Sequence, residues 1–394
     1  MATVLESSTA VASNYRVAQP VVSFEEARQM TAEHATPFIA YSRSALVRNF
    51  QTMRANLPNV EFFYAAKANC DPLVLRTLAE EGCSVDVCSH REALVAFDAG
   101  FSPNRMIHTH PCKTEANLRS CFNEGIRWFT FDNPEEMRKM VDYGSSINLL
   151  CRLSIPSRSS MINLSGKFGI LPNDAVELMC QARDAGLVVK GISFHVGSQC
   201  TDPEDFIQAF MTARRVWDEA IAAGIPLEVV DFGGGFPAAY RDPVLTLEAF
   251  CQNLAHGLDI AFGDIQSQVR IIAEPGRGMV ADTATLVTRV IGKMIRNGVR
   301  WYYIDDGMYG SFSGKVFDHA DFPLMTENQE ERELFPCVVA GPTCDSGDVI
   351  SKDQMLPELE IGDLIIVPTM GAYCSASAAA FFNGLDIAAS IPVE

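Results

Sequence analysis

Lys67 ends a strand-like run, Val60 to Ala66, in the segment FYAAKAN. A lysine at the C-terminal mouth of a buried strand loses solvation, which favours the neutral amine and makes it a nucleophile. Glu274, in AEPGR, follows a second β-type run, Val269 to Ala273, and precedes Pro275-Gly276-Arg277. Taken singly, the lysine reads equally well as a snorkelling surface residue and the glutamate as half of an ion pair. Taken together they offer an amine for a Schiff base, a carboxylate for a ring nitrogen and a Gly/Arg cradle for a phosphate. Those are the needs of pyridoxal phosphate.

Other motifs gather around this pair. The run Gly233-Gly234-Gly235 in DFGGGFP lets backbone amides approach a phosphate without Cβ obstruction. It is not GxGxxG and has no dinucleotide-binding context. His195, in SFHVGSQ, is placed to stack on a cofactor ring, and Ser198 to meet the phosphate, although a lone histidine there is ordinarily a hydrogen-bonded core residue. Asp86 and Glu92 flank CSHRE; Asp86 can orient Lys67 or a cofactor, while Glu92 suits the first turn of a helix. The loop GPTCDSGD presents Cys344 and Asp345 side by side, a thiol able to move a proton and a carboxylate able to hold a cationic substrate end. Asp305 and Asp306 in YYIDDGMYGSF and Tyr373 in MGAYC complete the set. His108 and His110 alternate in IHTHP as if on one face of a strand, but no further ligands accompany them, so no metal is expected.

These residues need elements to hold them. β-type runs fall near 59–66, 83–88, 105–109, 127–131, 147–153, 189–195, 227–232 and 269–274, with amphipathic helical stretches between. Eight strands alternating with helices predict an α/β fold, a (β/α)8 TIM-type barrel, with an open doubly wound sheet as the alternative. Lys67, Asp86, Arg152, His195, the glycine run and Glu274 each stand at or just past a strand's C-terminal end, the face on which barrels build active sites. Past residue 280 strand-like runs recur with few helices, predicting a mostly β C-terminal domain. The expected division is an N-terminal arm and strand over 1–40, a barrel over 41–277 and a β domain over 278–394.

The net charge of −18, from 31 basic and 49 acidic residues, argues against nucleic acid or an anionic membrane as partner. No run approaches the roughly 20 apolar residues of a membrane span. The start, MATVLESSTAVASNYR, lacks the basic and apolar regions of a secretory signal and reads as an N-terminal arm. Twelve cysteines without CxxC pairing read as reduced thiols, which points to the cytoplasm.

The motifs FYAAKAN, FHVGSQCTDPE, DFGGGFP, AEPGR, DDGMYGSFSG, GPTCDSGD and MGAY, spread over about residues 35–390, resemble those of the ornithine/diamino acid decarboxylases of the alanine-racemase-like fold, fold type III of the pyridoxal phosphate enzymes. Cys-Asp in the late loop resembles this branch more than the diaminopimelate decarboxylases, which typically carry Cys-Glu. The resemblance implies that Lys67 holds the cofactor and Glu274 pairs with its ring nitrogen. It implies that His195 stacks on the ring, with Asp86 and Arg152 in support. By the same resemblance Ser198, Gly235, Gly276, Arg277 and Tyr373 hold the phosphate. Cys344 governs reprotonation of the substrate carbon, and Asp306 and Asp345 receive the distal amine, with Tyr309 and Phe382 beside them. Cys344 and Asp345 are contributed across a homodimer, and Lys167 lies in a loop near the interface. The stretch CSASAAAF before Phe382-Asn383 is one residue longer than in animal relatives, which bears on how Phe382 lines the pocket, and their long regulatory C-terminal tail has no counterpart.

A glutamate at the ring nitrogen keeps it protonated, so the ring can absorb the electron pair left when CO2 departs. Racemases of this fold usually place an arginine there. Decarboxylation of a basic L-amino acid is therefore expected, L-ornithine to putrescine first. L-lysine or dual activity is the alternative, since one methylene discriminates by only about 1–3 kcal/mol. A diaminopimelate-type or carrier-bound substrate ranks lower. A racemase, or a catalytically dead binding homologue, is a further reading, and the intact Lys67, Asp86, Glu274, Cys344 and Tyr373 oppose the latter.

Overall fold

The computed structural model describes residues 14–394; the first 13 residues of the N-terminal arm expected from the sequence lie outside them. Contacts divide the chain into two compact units: Val47–Pro237 with Leu245–Met279, and Tyr15–Leu46 with Ala238–Val244 and Val280–Glu394.

In the first unit eight strands run parallel: Val60–Ala65, Ser84–Val87, Met106–His108, Trp128–Phe131, Asn148–Leu153, Val189–Phe194, Val229–Asp231 and Arg270–Ala273. Each pairs with the next in the chain, and the eighth closes on the first through the register Ile271↔Val60, so the sheet has no edge and the open alternative is excluded. Both faces of such a sheet are covered, which is why these strands read as apolar runs rather than alternating ones.

The loops leaving the C-terminal ends of these strands are pinned at their far side by helix caps. Asp71 accepts from the Leu73 N–H, Ser89 from Glu92, Thr114 from Asn117, Asn133 from Glu136, Asp202 from Glu204 and Thr246 from Ala249. Such a cap stabilises a helix start by about 1 kcal/mol and fixes where the loop must end. Glu92 behaves as the sequence suggests: it sits in the first turn, and its Oε2 accepts from the Cys88 N–H at 2.5 Å.

The helix Pro203–Ala222 buries Phe206, Ala209, Phe210, Ala213, Val216, Trp217 and Ala220, one stripe at helical spacing. Phe206 meets the rings of Phe232, Phe236 and Phe250 at centroid distances of 6.4, 6.1 and 5.7 Å. Since Phe232 and Phe236 bracket the three glycines, this aromatic packing gives the glycine loop a rigid floor. Burying one such side chain contributes about 1.5–3 kcal/mol.

The second unit is mostly β. The 13-residue strand Ala284–Arg296 is its axis. Its first half lies between Phe38–Ser42 and Leu364–Pro368, antiparallel to both, and its second half pairs with Val299–Ile304. Val299–Ile304 pairs in parallel with Phe335–Ala340, which pairs with Val349–Leu356. Phe38–Ser42 also receives the C-terminal strand Ala389–Val393 in parallel.

Candidate active site

Lys67 stands in the single turn Ala66–Ala68 directly after the first barrel strand. Its side chain is 36% exposed and its Nζ lies 3.0 Å from Asp86 Oδ2, an aspartate with no exposure on the neighbouring strand. Desolvation of the lysine is thus partial, less than the sequence suggested, while Asp86 stands beside it as expected and balances its charge.

Asp86 connects onward. Its Oδ1 accepts from the Thr109 N–H at 3.2 Å and lies 2.7 Å from Thr109 Oγ1, which in turn lies 3.3 Å from Glu274 Oε2. A hydroxyl has one proton to give. Donated over the shorter distance to Asp86, it leaves the Glu274 contact to be satisfied by a proton on Glu274 itself. Electrostatics agrees: burial, with the Asp231 and Asp86 carboxylates nearby, pushes the Glu274 carboxyl well above the usual range. Asp231, fully buried, is raised by burial too, while its Oδ1 accepts from the Gly233 N–H at 2.9 Å.

His195 follows the sixth strand. Its Nδ1 accepts from the Gly197 N–H at 2.9 Å, which assigns the ring proton to Nε2. Burial and the Arg152 and Lys67 charges hold it well below its ordinary pKa, so the ring is neutral. Arg152, on the fifth strand, lies over the Phe168 ring at 5.3 Å, and Lys167 faces the same ring at 4.9 Å. At the glycine run, a Cβ on Gly234 would stand 2.6 Å from the Glu274 carbonyl oxygen and 3.2 Å from His195 Nε2. Gly235 has φ +109°, and a Cβ there would stand 2.6 Å from the Gly197 carbonyl oxygen. Arg277 Nη2 donates to Ser198 Oγ at 2.9 Å, so the guanidinium directly after Gly276 and the hydroxyl of the HVGS loop face one place.

The second unit carries the remaining candidates. Asp306, buried, accepts at Oδ1 from the Gly307 and Ser311 N–H groups at 2.7 and 2.9 Å. Its Oδ2 is buried without a partner, and burial raises the carboxyl to about 6. A cavity of about 30 Å³ lies against it, lined also by Asp305, Tyr309, Thr343, Phe382 and Asp386. Tyr309 and Phe382 stack with centroids 3.9 Å apart and planes at 10°. The Tyr309 hydroxyl donates to Asp345 Oδ2 at 2.5 Å, holding that carboxyl below its usual range. Cys344 is exposed on the same loop. Tyr373 adopts a left-handed backbone, φ 54°, and its carbonyl accepts from Ser377 Oγ at 2.8 Å.

Three structural residues escaped the sequence reading. Thr109 links Asp86 to Glu274. Lys113, buried, donates to the His110 and Thr130 carbonyls at 2.8 and 2.6 Å and pairs with Glu136 at 2.9 Å, pinning the loop that carries Thr109. Asp348 accepts from the Met308 N–H and the Thr343 hydroxyl, both at 2.7 Å, and shapes the Cys344 loop. The histidine pair needs correction: the third strand ends at His108, which is buried near Phe129, while His110 lies beyond it and accepts at Nδ1 from the Cys112 N–H. Among the described residues no three His, Cys, Asp or Glu side chains gather as a metal set.

An amine, a proton-bearing buried carboxyl and an Arg-Ser pair beside glycines that admit no Cβ fit pyridoxal phosphate. They define a barrel enzyme working through a lysine-bound carbonyl cofactor. Residues 43–281 match the family described as pyridoxal-dependent decarboxylase, pyridoxal binding domain. The chain is 36% identical over 374 residues to a lysine/ornithine decarboxylase of Selenomonas ruminantium, across 95% of this chain and 93% of that one. Among solved structures, lysine/ornithine decarboxylase from Vibrio vulnificus complexed with putrescine is similar with a TM-score of 0.87 and 37% identity, over 95% of this chain and 99% of that one. SrLDC in complex with PLP and cadaverine gives 0.87 and 35%, over 97% and 95%. The chain belongs to the pyridoxal-dependent decarboxylase family. It is a pyridoxal phosphate-dependent amino acid decarboxylase of the alanine-racemase-like fold, a carboxy-lyase.

Proposed function

We propose that the chain decarboxylates a basic L-amino acid, L-ornithine to putrescine and CO2 foremost, with L-lysine as a second substrate. The observation that carries this reading is the buried Asp306 Oδ2, which has no partner, on a residue that lines a cavity of about 30 Å³. That volume exceeds the roughly 10–15 Å³ that one water needs, enough for an ammonium head. A buried carboxylate oxygen without a donor is costly, and a substrate's distal ammonium supplies what it lacks. Lysine stays in the reading because the relatives above act on, or are named for, both amino acids.

In this reading Lys67 holds the cofactor, with Asp86 orienting its Nζ. Glu274 keeps a proton at its buried carboxyl, suited to a basic ring nitrogen. His195, neutral, packs against the ring, with Arg152 in support, and Ser198, Gly235, Gly276, Arg277 and Tyr373 hold the phosphate. When bound, the cofactor supplies an electron sink for the pair left as CO2 departs. Cys344 then delivers a proton to the substrate Cα. Asp306 and Asp345 orient the distal amine, with Tyr309 and Phe382 as apolar walls. A homodimer that shares Cys344 and Asp345 between protomers is part of the proposal, supported by the motif resemblance. Twelve free thiols, two of them exposed, suit a reducing compartment, so the cytoplasm and a role in polyamine supply are included.

Turnover with L-ornithine, L-lysine, L-arginine and meso-diaminopimelate, read as CO2 and amine, tests this. The kcat/KM ratio of ornithine to lysine is expected above one and below about 200, the span of one methylene. Turnover of meso-diaminopimelate alone would remove the reading.

A further inference from the structure

Asn383 touches Cys344 twice. The Cys344 N–H donates to Asn383 Oδ1 at 2.8 Å, and Asn383 Nδ2 lies 3.3 Å from Cys344 Sγ. The orientation of this amide is not free. A backbone N–H can only donate, so the amide oxygen must face it. The amide NH2 is thereby turned onto the sulfur, which must accept. The residue is held for this by its backbone, which adopts the left-handed conformation at φ 55°, ψ 15°, one that asparagine tolerates better than most residues.

A sulfur that faces a donor is poised to carry negative charge. We propose that Asn383 is a positioning residue for the protonation step, its side-chain N–H stabilising the charge that develops on Cys344 Sγ as the thiol gives up its proton. The inference rests on the reading of Cys344 as proton donor. In that step the S–H bond breaks and a Cα–H bond forms, using the electron pair left by CO2, and the thiolate is later reprotonated from water. The Asn383 contact is worth most when the sulfur is charged and little before, so it lowers the barrier rather than only tightening the ground state.

The same contact governs fidelity. If the proton goes instead to the cofactor carbon that bears the nitrogen, hydrolysis by water releases an aldehyde in place of the diamine. The substrate carbon then ends oxidised, and the cofactor ends reduced to pyridoxamine phosphate. Slower delivery from Cys344 gives this outcome more time.

The test uses holoenzyme with Asn383→Asp, Asn383→Gly and Cys344→Ala. Aspartate keeps an oxygen for the Cys344 N–H and places a second oxygen against the sulfur, reversing only the electrostatics. Glycine removes the amide while suiting the left-handed backbone. Two quantities are read: alkylation of Cys344 by iodoacetamide at fixed pH, followed by peptide mass spectrometry with exposed Cys112 as internal reference, and pyridoxamine phosphate formed per CO2. For Asn383→Asp, alkylation of Cys344 is expected to slow about tenfold relative to Cys112, with pyridoxamine phosphate per CO2 rising about tenfold in both Asn383 variants, the scale of one charge-assisted hydrogen bond. Should the aspartate variant not retain the cofactor's absorbance, the partition in the glycine variant decides. Unchanged alkylation and partition in the Asn383 variants, beside a raised partition in Cys344→Ala, overturns the Asn383 role alone. An unchanged partition in Cys344→Ala overturns the proton-donor reading and this inference with it.

Discussion

The barrel and the mostly β unit set their carboxylates differently. In the barrel, Asp86, Asp231 and Glu274 are crowded and buried, and their charges act on one another; Asp86 is tied to Lys67 and Thr109, Glu274 to Thr109, and Asp231 to the Gly233 N–H, with its Oδ2 buried and without a hydrogen-bond partner. In the other unit Asp306 Oδ2 is buried without a partner on a residue that lines a cavity, and Asp345 accepts from the Tyr309 hydroxyl and the Gly347 N–H. A cluster whose carboxyls act on one another has its protonation set before any ligand arrives, which in the function proposed above suits a resident cofactor. Asp306, beside a cavity, in the same proposal takes a cation that comes and goes. Permanent chemistry is thus built on strand ends, and transient recognition on loops.

The sharpest way to break this contrast is on the barrel side. Lys67→Ala should lose the cofactor's visible absorbance and lower turnover by more than about 10³-fold, measured by CO2 release. Glu274→Gln removes the proton-bearing carboxyl while keeping its size. Turnover should fall about 10²–10³-fold, with the absorbance of bound cofactor retained.

On the other side the effect should move to substrate affinity. Asp306→Asn should lower kcat/KM for ornithine by about 30-fold or more through KM, leaving the absorbance of bound cofactor unchanged. The sign of the pH dependence follows from the same residue. Its carboxyl is raised to about 6, so below that pH it is neutral and pairs poorly with an ammonium. Wild-type KM should therefore rise as pH falls through about 6, and the variant should lack that rise. The mildest change belongs to Thr109→Val, which should reduce kcat about tenfold and shift the pH dependence of the cofactor's absorbance, with Thr109→Ser restoring both.

The barrel was legible because each of its eight strands is a short apolar run and because the reactive side chains recur at run ends. The link between those side chains was not. Thr109 sits between two histidines that drew the eye to metal, and nothing in IHTHP says that the strand stops at His108 and turns a hydroxyl onto two carboxyls. Lys113 looks like a surface lysine until burial shows it bonded to two backbone carbonyls. Asp348 closes GPTCDSGD, where its acceptance of the Met308 N–H, 40 residues away in sequence, depends on the sheet that brings the segments together. In the sequence Asn383 stands out only as the neighbour of Phe382. These residues act through tertiary contacts, to which periodicity and motif are blind.

Gly234 gives the contrast an evolutionary edge. One added methyl there would press on the backbone of Glu274 and on the imidazole of His195 at once. No stepwise drift can pass through that position without damaging two parts of the chemistry together. The loop beside Asp306 is constrained on one side chain at a time: a Cβ on Gly310 would press on the Asp306 carboxylate, and one on Gly307 on Asp348. Change in this chain is thus slowest where one backbone position serves two reactive side chains at once.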